Sequence, residues 1–96
     1  MLYVVIVTYK KSIEEVDQHL AAHRDFLGLH YTSGKFIASG PQLPRTGGIL
    51  LSKGKSKQEI LDILKDDPFN ILGIASYEVI EFNPVKYHEA FKQFID

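Results

Sequence analysis

The feature that most constrains this chain is the run Leu2–Thr8, LYVVIVT. It is short, continuous and rich in β-branched residues, which sit well on a pleated surface. An alternating run would suit a strand with one wet face. A continuous run reads as a strand covered, or nearly covered, on both faces. Any fold must therefore set this strand inside a sheet and find apolar cover for each side of it. The chain has only 96 residues for the task. A domain of that size buries about 65% of the surface its unfolded chain exposes. One domain over residues 1–96 with a thin core is expected, and a sheet face without helices would favour self-association.

The rest of the chain supplies the partners. Ser12-Ile13-Glu14-Glu15 and Ser56-Lys57-Gln58-Glu59 are capping boxes, Ser at the N-cap and Glu three residues on. The first opens a long helix to about Thr32, with Ile13, Val16, Leu20 and Leu27 on one face, and Gly34 fits as its left-handed terminator. Gly28 costs that helix up to about 1 kcal/mol relative to Ala. The second helix carries Ile60, Ile63 and Leu64 and must stop before Pro68. Lys35–Ser39, closed by Gly40-Pro41, and Gly48–Lys53 read as strands joined by a Pro/Gly loop. Ala75–Phe82 reads as a further strand with a phase slip near Ile80. Lys86–Ile95, with Tyr87, Ala90, Phe91 and Phe94 at helical spacing, reads as a C-terminal helix. The order β-α-β-β-α-β is the ferredoxin-like α+β pattern, a four-stranded antiparallel sheet, here with a tail helix. Two helices cover one sheet face. The other is expected to pair with a second copy of the chain, giving a homodimer.

Composition removes several function classes. Apolar residues make up 45% and charged residues 24%, which is globular rather than disordered. Eleven Lys and Arg against 12 Asp and Glu leave a formal charge of −1, so there is no basic field for nucleic acid or an anionic membrane. No cysteine is present, which excludes disulfides, a thiolate nucleophile and a Cys-type zinc site, and fits a reducing cytoplasm. The apolar N-terminal run is far shorter than a span of about 20 residues. Its lysines, Lys10 and Lys11, follow rather than precede it, so no targeting segment is expected.

Four histidines carry the first chemical question. His19 and His23 stand four apart, a spacing at which two imidazoles can share a metal, and His30 falls near them on the helical wheel. Leu20 stands where a metalloprotease helix has Glu, and no third ligand is evident. The polar edge of an amphipathic helix is the expectation, with no metal and no cofactor. His23 lies at the margin of the apolar stripe, where it either bonds a backbone group or faces a pocket. Asp67, before Pro68, either accepts hydrogen bonds from the next backbone amides or pairs with a histidine across the fold. Ser39-Gly40-Pro41 ends a strand, where small molecules often bind, or makes a tight exit. Arg45 sits in a loop from which it could neutralise an anionic ligand.

Taken together, the strand beginning Met1-Leu2-Tyr3, Ala22-His23-Arg24, Ser39-Gly40-Pro41, Gly47-Gly48 and Asp67-Pro68-Phe69 resemble the YCII-related (YciI-like) family over about Met1 to Phe82. The resemblance implies a dimeric α+β barrel with sheets packed face to face. It also implies a pocket holding an acid–base dyad, matched here by His23 and Asp67, with Ser39-Gly40-Pro41 lining the same pocket. The wider group includes isomerases, dehalogenating enzymes and monooxygenases. The first expectation is thus a small-molecule enzyme performing proton transfer, elimination or hydrolysis. The alternative is a non-catalytic module that holds a metabolite in the same pocket.

Overall fold

A computed structural model describes residues 1–95. The run LYVVIVT becomes β1 (Leu2–Tyr9), and it lies inside the sheet. It is followed by helices α1 (Ile13–Gln18) and α2 (Leu20–Thr32), strands β2 (Phe36–Pro41) and β3 (Gly47–Lys53), helices α3 (Lys57–Leu64) and α4 (Pro68–Ile71), and strand β4 (Ala75–Phe82). The strands form a four-stranded sheet in the order β2-β3-β1-β4, every neighbouring pair antiparallel. The expected α+β architecture is thereby found.

Alternation along β1 divides the sheet. Tyr3, Val5 and Val7 point to the helices and are buried with Leu50 of β3 and Val79 of β4. Val16, Phe26, Ile60, Leu64 and Phe69 close this core from the helix side. Burying each such side chain stabilises the fold by about 1.5–3 kcal/mol relative to leaving it exposed. The opposite face presents Val4, Ile6, Ile49, Leu51, Ile80 and Phe82, none of which is fully buried. Both faces of the central strands are thus apolar, as the continuous run requires, and helices cover only one.

Four sequence expectations need correction. The first helix is two: at His19 the backbone leaves the α region (φ −115°, ψ 9°). In one straight helix Val16 and Phe26 would stand about 80° apart at about 100° per residue. The turn at His19 lets both reach the core. The phase slip expected near Ile80 is absent, since β4 stays in register with β1 from Tyr9↔Ala75 to Leu2↔Phe82. What looked like a slip is Ile80 and Phe82 standing on the open face, where Ser76 and Glu78 also stand. The irregularity lies instead in β2, between Phe36 and Ala38. The expected C-terminal helix is a 3-10 segment, Glu89–Phe94, with no buried residue. Its apolar side chains have no core to dock on, and a short helix without tertiary packing has little to hold it. Finally, Asp66-Asp67 is not only a helix exit, because Pro68 starts α4 directly after it.

Two glycines answer for themselves. Gly34 adopts φ +83° after α2 as expected. Gly47 starts β3 where any Cβ would strike the carbonyl oxygen of Val7.

Candidate active site

Asp67 is the N-cap of α4 and Pro68 its first residue, an arrangement both residue types favour. Its Oδ1 accepts the Phe69 N–H at 3.0 Å. The carboxyl group is nevertheless 1% exposed, which is unusual for a cap. The reason is that α2 and β4 close over it. From α2, His23 brings Nδ1 to 2.9 Å from Oδ1. From β4, the Tyr77 hydroxyl donates to Oδ2 at 2.7 Å. Both readings of Asp67, backbone cap and histidine partner, therefore hold at once.

Protonation follows from this arrangement. With the Phe69 N–H and the Tyr77 O–H already donating to it, the carboxyl group acts as acceptor, which assigns the proton of the third contact to Nδ1 of His23. Burial pushes the Tyr77 phenol well above its ordinary value, and the hydrogen bond to Asp67 and its charge push it further. Tyr77 accordingly stays a donor. The imidazole is stacked face to face on the Phe69 ring, centroids 4.0 Å apart and planes within 1°. Phe69 is itself held edge-on by Tyr9 at 6.2 Å. The His23 side chain is 16% exposed, and no hydrogen bond reaches its Nε2 among the described residues.

His23 lines a cavity of about 540 Å³, within the range of small-molecule sites. Asp67, Ser39, Gly40 and Pro41 line it too, so the five residues that the resemblance assigned to one pocket meet in one place, whereas His19 and His30 are not among its lining residues. Ser39 Oγ lies 2.6 Å from the Tyr31 hydroxyl, a pair with one proton free for a ligand. Leu20, Leu27, Val7 and Leu50 supply apolar wall. Arg24 and Arg45 also line the cavity. Arg45 is bound to Asp17 at 2.6 Å and its guanidinium lies 5.7 Å from the Tyr9 ring centroid. The hydrogen bond to Asp17 raises Arg45 above its ordinary value, and the same bond holds Asp17 below the usual carboxylate range.

Tyr77 and Tyr31 escaped the sequence reading as site residues, and Phe69 entered it only within the Asp67-Pro68-Phe69 motif. For Tyr77 the signal is alternation, since it shares the inward face of β4 with Val79, and a tyrosine there needs a partner for its hydroxyl. Two of the remaining histidines make structural contacts. His30 packs on Phe26 and Phe36, with centroids 5.0 and 4.9 Å away. His88 caps the 3-10 segment through Nδ1. Among the described residues no three His, Cys, Asp or Glu side chains gather so as to hold a metal ion. No helix among them is long and apolar enough to cross a membrane.

The model of the YCII-related domain matches residues 1–83. The chain belongs to the YCII-related family. The matched span ends just after β4 and includes every residue lining the cavity. Among solved structures, it is similar to 5-chloro-2-hydroxyhydroquinone dehydrochlorinase (TftG) from Burkholderia phenoliruptrix AC1100, in complex with 2,5-dihydroxybenzoquinone. The TM-score is 0.74 and the identity 21%, over 86% of this chain and 94% of that one. TftG belongs to the dimeric α+β barrel fold, and the likeness places this YCII-related chain in that fold. No curated protein matches the chain.

Proposed function

We propose that this YCII-related protein is a small-molecule enzyme in which His23 moves a proton and Asp67 orients it. The observation that carries the reading is the 2.9 Å contact between His23 Nδ1 and the buried Asp67, made at the wall of a 540 Å³ cavity. With the proton on Nδ1, the lone pair is on Nε2, the nitrogen without a protein partner. Nε2 takes a proton from a C–H or O–H of the ligand, and Asp67 stabilises the imidazolium that results. The proton then returns at another atom, or the electron pair expels a leaving group. TftG bears the name of a dehydrochlorinase, and loss of hydrogen chloride is an elimination of this kind. Tyr77 and the Phe69 N–H hold Asp67 in place, and Phe69 fixes the plane of the imidazole.

Deuterium exchange tests the proposal without knowledge of the physiological substrate. A panel of small enols, lactones and phenolic acids in D2O is followed by NMR for exchange of acidic C–H groups. Wild type should accelerate exchange for part of the panel, and His23→Ala should lose at least about a hundredfold of that acceleration. Unchanged exchange in His23→Ala would overturn the assignment.

We also propose that the open sheet face packs against a second copy. Ile49, Ile80 and Phe82 are 39%, 42% and 39% exposed there, beside Val4, Ile6 and Leu51. Ile80→Asp should convert a dimer to a monomer in sedimentation velocity. A wild-type protein that sediments as a monomer would contradict the pairing.

A further inference from the structure

The charges around the cavity are unevenly placed. Asp67 is buried at the inner wall and takes three hydrogen bonds, from His23, Tyr77 and the Phe69 N–H. Arg45 is neutralised by its contact with Asp17. Arg24 also lines the cavity, is exposed, and makes no hydrogen bond or ion pair among the described residues. The Asp17 carboxylate is held low chiefly by its hydrogen bond to Arg45, and the charge of Arg24 adds the smallest contribution. Two guanidinium groups over one carboxylate leave this side of the cavity positive, and among the described residues no unpartnered carboxylate lines it.

Helix α2 shows where the positive charge sits. Its cavity stripe runs Leu20, His23, Arg24, Leu27, Gly28, Tyr31. At about 100° per residue, His23 lies at one edge of the stripe and Gly28 at the other, about 140° apart, with Arg24 on the Gly28 side. The His23 edge is the one nearest buried Phe26, so Arg24 and Gly28 stand on the outer edge, at the mouth. A glycine inside a helix is unfavourable by about 1 kcal/mol relative to Ala. A Cβ on Gly28 would meet no atom within 4 Å, so protein packing does not require glycine there. The glycine leaves a gap one turn beyond Arg24 on the same side. The inner wall, by contrast, is Leu20, Leu27, Val7 and Leu50.

We propose that the cavity takes a small organic anion, its apolar body against the leucines and its charged group held at the mouth by Arg24 in the space left by Gly28. This rests on reading the cavity as the place where His23 meets its ligand. It also suits that chemistry. Removing a proton from the ligand adds negative charge to it while His23 and Asp67 together become neutral. An unpaired guanidinium nearby then favours the deprotonated ligand.

Benzoate and benzamide test the proposal, because they share size and shape and differ in charge. Binding is followed by NMR titration of wild type, Arg24→Gln and Arg24→Lys, with the His23 ring nitrogens observed in the same samples. Wild type should bind benzoate more tightly than benzamide. Arg24→Gln should weaken benzoate roughly tenfold, the scale of one charge-assisted hydrogen bond, and leave benzamide unchanged. Arg24→Lys should retain most of the preference. Gly28→Leu should weaken benzoate by filling the gap. Equal binding of the two probes by wild type, or equal weakening of both by Arg24→Gln, would overturn the anion site. Loss of deuterium exchange or of the Nδ1–H tautomer with the benzoate preference intact would instead bring down the acid–base reading alone.

Discussion

Two tyrosines on the covered face of the sheet each donate to a carboxylate, and they do different things. Tyr3, at one end of β1, stands opposite Glu81 and donates to it at 2.6 Å. Tyr77 stands opposite Val7 toward the other end and donates to Asp67 at 2.7 Å. Both phenols are pushed upward by burial first and by their carboxylate second, Tyr3 to about 12. By hydrogen bond and titration alone they are the same object. Their surroundings separate them. Tyr3 is sealed beneath Gly54 and Ile60, and its partner Glu81 is exposed. Asp67 is buried, takes two further donors, and one of these is an imidazole at the wall of a cavity. A buried tyrosine with a raised pKa is thus not itself a sign of function. The sign is a third group that can exchange a proton with a ligand.

The contrast can be broken most forcefully at the carboxylates. Asp67→Ala leaves His23, Tyr77 and the Phe69 N–H without an acceptor and should destabilise the fold by about 3 kcal/mol in urea unfolding. It should also abolish deuterium exchange. Glu81→Ala removes an exposed partner and should change stability by less than about 1 kcal/mol, with exchange intact. Similar losses for both would erase the distinction. At the tyrosines the effects are smaller. Tyr77→Phe should lose about 1 kcal/mol for one hydrogen bond and slow exchange without changing benzoate affinity. Tyr3→Phe should leave exchange untouched.

The smallest effect is in alkali and concerns Tyr3. Its phenol ionises near 10 when unfolded and near 12 when folded, so between those values the unfolded chain has lost a proton that the folded one keeps. Stability contributed below pH 10 is therefore lost as pH rises toward 12. Wild type should lose stability more steeply than Tyr3→Phe across that window in chemical denaturation. Parallel slopes would contradict the raised pKa.

How much of this was legible beforehand follows from which signals are local. Strands declare themselves by composition, and the two Ser-x-x-Glu caps place α1 and α3 because a cap is settled within four residues. Ser12 and Ser56 both accept the backbone N–H three residues on. The break at His19 and the 3-10 tail depend on where the core lies, which no window of residues contains. The site divides the same way. Asp67-Pro68 marks the end of α3 in the sequence, but its second role as the start of α4 does not show there, and Asp67 meets His23 across 44 residues of chain. Only the family resemblance joined them in advance. Tyr77 had no such help. Its inward position follows from alternation, whereas its partner follows from the docking of α4 beneath α2. Gly28 was visible as an anomaly and gains a reason only beside the cavity.

His23 can act as the base only if its proton sits on Nδ1. Long-range 15N–1H correlation spectra of the histidine rings, assigned with His23→Ala, read this directly at about pH 9, above the ordinary histidine range near 6.5. The structure predicts an Nδ1–H tautomer for His23 with Nε2 bare, converting toward the other tautomer in Asp67→Ala. A wild-type His23 that carries its proton on Nε2 would mean that Asp67 does not orient the ring, and the proposed base would have no lone pair to offer the cavity.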